Sequence, residues 1–90
     1  MTSDLMRLKN IGPASVRQLR DVGIEDQAAL RKLGALAAYH RLKHAFPRET
    51  SLLMLYALEG ALRDCHWNQL PPGVKEKLQA AAKPAQRVKR

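Results

Sequence analysis

The residue types that could do chemistry in this chain are few, and their spacing rarely brings two of them together. His40 and His44 stand four residues apart, which on a helix puts two imidazoles on one face. A zinc site needs three or four ligands. The remaining candidates, Cys65 and His66, fall on a different element without motif spacing, so the histidines read as exposed helix residues and no metal is expected. Cys65 beside His66 is no nucleophile–base pair either, because neighbours on a helix point about 100° apart. There is no glycine-rich phosphate loop of the Walker type, no carboxylate pair with a pocket and no serine in a nucleophile context. The expectation is a non-enzyme without a cofactor.

Aromatic side chains are too sparse for a base-stacking surface: two tyrosines, one phenylalanine and one tryptophan. Trp67 is expected to lock a turn onto the core, its indole N–H on a carbonyl. Tyr39 and Trp67 are also the candidate partner-binding residues, either for another protein or for self-association through an apolar patch.

The net charge of +8, from 16 Lys and Arg against 8 Asp and Glu, suggests polyanionic partners. Its placement weakens that inference. Lys83, Arg87, Lys89 and Arg90 all lie in the last eight residues, so half of the excess belongs to the tail. The single cysteine excludes an intramolecular disulfide. The start M-T-S-D-L-M-R-L-K is no signal peptide, and a cytoplasmic protein is the default. Ninety residues make one small domain.

The element that must position everything else is the stretch Thr50 to Trp67. Leu52 through Leu58 are apolar without a break, and Ala61, Leu62 and Cys65 continue the set at helical spacing. Such a helix belongs in the middle of a bundle, capped by Ser51 or Thr50. The apolar run is far shorter than the roughly 20 residues that cross a bilayer.

Around it, Asp4 to Lys9 is expected as a short helix capped by Ser3, and Pro13 to about Asp21 as a second, with Val16, Leu19 and Val22 inward. Gly23 ends that helix in the left-handed region. A third helix follows a cap at Asp26 or Glu25 and closes at Leu33-Gly34, and a fourth runs from Ala35 to about Ala45 before Phe46-Pro47. A last helix spans Val74 to about Ala82, with Val74, Leu78 and Ala81 inward. No period-two strand pattern occurs. The fold class is all-α, a compact five- or six-helix bundle over residues 1–82, with residues 83–90 a disordered basic tail. Leu8 to Pro13 and Leu30 to Ala35 echo one another, each being apolar, basic, polar, apolar, glycine, small, and read as two hairpins of similar geometry.

The sharpest motif is L-K-N-I-G-P-A-S-V-R-Q-L-R-D-V-G-I, Leu8 to Ile24. It resembles the helix-hairpin-helix (SAM-like) motif, with Gly12 as the second glycine, Ile11 as the apolar plug and Asn10 where the first glycine is expected. The resemblance implies that hairpin amides and a helix N-terminus hold a phosphate. The candidate nucleic-acid-binding residues are then Gly12, Ala14 and Ser15, flanked by Lys9, Arg17 and Arg20. The alternative is that the hairpin only joins two packed helices.

The succession L-K-N-I-G-P-A-S, L-R-K-L-G-A-L-A-A-Y-H-R-L-K, S-L-L-M-L-Y-A-L-E-G-A-L-R and H-W-N-Q-L-P resembles, over about Leu8 to Leu78, the C-terminal domain of the TfoX/Sxy competence regulators. That resemblance implies a non-enzymatic regulatory module, in relatives preceded by an α+β domain and promoting expression of DNA-uptake genes alongside the cyclic-AMP receptor protein. Two functions stay open: a protein-interaction domain in transcription control, and direct, mostly non-specific DNA binding through the hairpin. Also open are the partner, the target genes, the oligomeric state and whether the chain is stand-alone or an excised domain.

Overall fold

The computed structural model describes residues 4–82; the expected Ser3 cap and basic tail lie outside them. Five α-helices follow one another, α1 (Pro13–Asp21), α2 (Gln27–Leu33), α3 (Ala35–Ala45), α4 (Leu52–Arg63) and α5 (Pro72–Ala82), with short 3-10 turns at Asp4–Arg7 and Trp67–Gln69. No strand occurs among the described residues. The fold is all-α.

The α4 helix is the axis of the core. Leu55 and Leu58 are completely buried, together with Leu5, Leu19, Ile24, Leu30 and Leu42 from the surrounding segments. The helix packs on α3 and on α5, but Leu53 in its first turn stays 48% exposed, so the apolar run is not buried on every side.

Its two ends depart from expectation. Ser51 occupies the N-cap position but makes no side-chain cap bond. Thr50 is 2% exposed and its hydroxyl donates instead to the Leu42 carbonyl at 3.1 Å. That bond, with Lys43 Nζ donating to the Pro47 and Thr50 carbonyls at 2.9 Å each, ties the α3–α4 connection shut. At the other end the helix stops at Arg63, short of Trp67, because Asp64 turns into the left-handed region at φ 59°. Short polar side chains tolerate that conformation. Cys65 N then donates to Gly60 O at 2.9 Å, satisfying a terminal carbonyl.

The first segment is a 3-10 turn where a short α-helix over Asp4 to Lys9 was expected. Four residues are too few to offset helix nucleation, and Asp4 has a long-range role: its Oδ1 accepts from Gln27 N at 2.9 Å and its carbonyl from Gln27 Nε2 at 2.7 Å. Asp26 Oδ1 accepts from Ala29 N at 2.8 Å, so two aspartates serve the start of α2. Helix α5 begins at Pro72, two residues early, and Leu78 and Ala82 pack against the core while Ala81 is exposed. The side of α5 that meets the core is therefore half-buried and runs through Leu78 and Ala82, four residues apart. The two echoing hairpins also differ: positive φ falls on Asn10 in the first but on Gly34 in the second, which aligns with Gly12 at φ −105°. Their likeness is in sequence only.

Leu55→Ala should lower stability by about 2–5 kcal/mol through lost burial and a residual cavity, most of what a domain this small possesses. Leu53→Ala, two residues earlier at a side chain 48% exposed, should stay within about 1 kcal/mol. Urea denaturation of the two variants checks the contrast, and equal midpoints would remove α4 from the centre.

Candidate nucleic-acid interface at the hairpin

The hairpin is held from inside. Ile11 is buried as the apolar plug at 6% exposure, and Pro13 opens α1, where its missing N–H costs nothing. Asn10 adopts φ 70° and sends its side chain across to the end of α4. Its Nδ2 donates to Ala57 O at 3.3 Å and Cys65 O at 3.1 Å, and its Oδ1 accepts from Trp67 N at 3.3 Å. The residue standing where a glycine was expected thus makes three tertiary hydrogen bonds. Gly60 makes room for them: a Cβ there would lie 2.7 Å from both Asn10 Nδ2 and Cys65 O.

The outward side is less favourable to phosphate. Gly12 caps α1 through no side chain, and α1 has no acidic residue in its first turn, so the amides of Ala14 and Ser15 form an exposed positive helix end. Lys9 lies 3.8 Å from Asp64 Oδ1, which brings a carboxylate to the hairpin mouth. Arg17 and Arg20 are both exposed. Arg20 is in the last turn, about 10 Å along the axis from the helix start, so only Lys9, Gly12, Ala14 and Ser15, with Arg17 a turn further on, share one location.

Beside the hairpin opens a cleft of about 330 Å³, whose lining includes Asn10, Ser15, Ser51, Leu53, Met54 and Trp67. Of this cleft the sequence offered only Trp67 and Ser15, because Leu53 and Met54 lie on the helix read as buried core. Of the two candidate anchors, Trp67 lines the cleft, whereas Tyr39 is 7% exposed and packs in the core, where it can meet no partner. Lys75 Nζ lies 5.5 Å from the Trp67 ring centre and 5.7 Å from that of Tyr56, fastening α5 to the turn.

His66 caps the Trp67–Gln69 turn: its side chain accepts from Asn68 N at 3.4 Å while Gln69 Oε1 accepts from His66 N at 3.2 Å. Gln69 completes a reciprocal capping box. His40 and His44 are exposed on α3. Among the described residues no group of three or more His, Cys, Asp or Glu is placed to hold a metal ion, and no helix is long and apolar enough to cross a membrane.

These features define a small all-α module with a helix-hairpin-helix-like unit closed on a central helix. The chain belongs to the TfoX C-terminal domain family, whose model matches residues 1–82. It is similar to an uncharacterized protein from Listeria monocytogenes seen in a triclinic crystal form, with 31% identity, a TM-score of 0.80 and coverage of 83% of this chain and 84% of that one. It is likewise similar to a protein of unknown function from Listeria monocytogenes in a tetragonal form, with 30% identity, a TM-score of 0.81 and coverage of 86% and 94%. No protein of curated function matches.

Asn10→Gly should destabilise by about 1–3 kcal/mol although glycine relieves the positive φ, because the Cys65 carbonyl and the Trp67 amide lose their partner and the Ala57 carbonyl loses its second one. Gly60→Ala should also destabilise, despite a helix propensity gain of about 1 kcal/mol, because the new methyl displaces the Asn10 amide. The double variant should cost clearly less than the sum of the singles. Additive losses in denaturant titrations would show that the two residues act separately.

Proposed function

We propose that this domain is a non-enzymatic, cytoplasmic protein-interaction module in the transcriptional control of competence or DNA uptake. The observation that carries the reading is the surface beside the hairpin. There Leu53 stands 48% exposed at a cleft with Met54 and Trp67, while the adjoining Lys9 is shared with Asp64. A cleft that combines Leu53, Met54 and Trp67 with the polar Asn10, Ser15, Ser51 and His66 suits a partner's side chain. A carboxylate at the hairpin mouth opposes phosphate. Family membership supports the regulatory setting.

Direct, mostly non-specific DNA binding through the hairpin is the second reading, and Gly12 is what favours it. Its φ of −105° suits any residue and a Cβ would meet nothing within 4 Å. The fold does not need glycine there, whereas a phosphate approaching the amides would.

Two measurements separate the readings. Affinity isolation from cells expressing the tagged chain should retain a stoichiometric protein partner that Leu53→Glu releases. Duplex DNA binding, compared at low and moderate salt, should be weak and should vanish when the chain is cut after Ala82, since tail binding is counterion release. Tight binding that survives the cut and is abolished by Gly12→Ala, or by Arg17→Ala with Arg20→Ala, would overturn the protein-interaction reading and make the hairpin a DNA site.

A further inference from the structure

A second surface, sharing no residue with the hairpin cleft, runs along α3. Two depressions of about 580 and 380 Å³ adjoin at Arg41, which lines both. The first has an apolar floor of Val22, Ala37 and Ala45, and the second of Ile24, Ala29 and Leu33. Every ionisable side chain lining them is basic: His40, Arg41 and His44 in one, Lys32 and Arg41 in the other. Arg41 is held at the junction by Nη1 donating to the Val22 carbonyl at 3.2 Å, which leaves its remaining N–H groups for a ligand.

We infer that this groove docks an acidic amphipathic segment of a partner protein, its apolar side chains entering the two depressions and its carboxylates meeting Arg41, Lys32 and the histidine face. Charge complementarity selects an anionic partner. The floor selects a peptide over nucleic acid, because a phosphodiester backbone has no aliphatic side chain to bury in the two depressions. Two apolar pockets flanking a guanidinium match a helical ligand that presents residues at three- and four-residue spacing with acidic residues between them. The inference rests on the protein-interaction reading and adds to it the chemistry of one partner segment.

The test is an NMR titration of the full chain, uniformly ¹⁵N-labelled, with a synthetic helical peptide of leucines at every third or fourth position and glutamates between. Saturable shifts should centre on the amides of Val22 to Ile24 and Ala37 to Ala45. Replacing the glutamates by glutamine, or the leucines by alanine, should weaken binding at least tenfold, and so should Arg41→Glu. Because Arg41 also bonds to Val22, His40→Glu with His44→Glu serves as a second variant at exposed positions and should give a comparable loss with an unchanged melting temperature. Absence of saturable binding, shifts centred on Leu53 and Trp67, or indifference to both variants would overturn the groove. A partner still released by Leu53→Glu would then leave the broader reading standing. A duplex that shifts the α3 amides more strongly than the peptide would overturn the peptide assignment.

Discussion

The constraint on which the rest depends is the carboxamide of Asn10 lying against the end of α4. One side chain with two donors and an acceptor engages the carbonyls of Ala57 and Cys65 and the amide of Trp67. The Cys65 carbonyl and the Trp67 amide lie just beyond the end of α4, so the hairpin supplies partners that the helix cannot. The fit needs Gly60 without a side chain and Asp64 in the left-handed region, since both govern how the chain passes from α4 to Trp67. Hairpin, central helix and aromatic turn are therefore one mechanical unit, although they are far apart in sequence.

That unit determines which way the hairpin can act. With Asn10 turned inward, the outward groups are the Ala14 and Ser15 amides, the open face of Gly12 and a lysine already facing Asp64. Exposed Leu53 lies beside them on α4. It is on this surface that the proposed protein-interaction reading rests. The basic groove along α3 extends the same logic to a different partner segment.

Much of the fold was legible in the sequence because its signals are local. Gly12-Pro13, Gly23, Asp26, Gly34 and Phe46-Pro47 mark helix ends through backbone and capping chemistry, and the observed α1, α2 and α3 begin and end at those residues. What was not legible depends on distant parts of the chain. Asn10 suggested only tolerance of positive φ, with no sign that its side chain would cross to α4. Thr50 looked like an N-cap but turned to Leu42, and Asp4 serves a helix more than twenty residues away. Tyr39 shows the same limit: its position on α3 fitted an exposed anchor as well as a core residue, and only the packing of α3 against α4 decides between them. The candidate site was half legible, since the hairpin has a motif and the neighbouring cleft does not.

The most direct test of this account is amide hydrogen exchange, because it reads the Asn10 bonds themselves. In the native chain the Trp67 amide should be protected, since it donates to Asn10 Oδ1. In an Asn10→Gly variant the Trp67 amide should exchange at least tenfold faster, accompanied by Ile11, whose amide bonds to Leu8 O within the hairpin, while the α3 amides keep their protection. Unchanged exchange at Trp67 and Ile11 would contradict the account, showing that the hairpin is held to α4 by apolar packing alone.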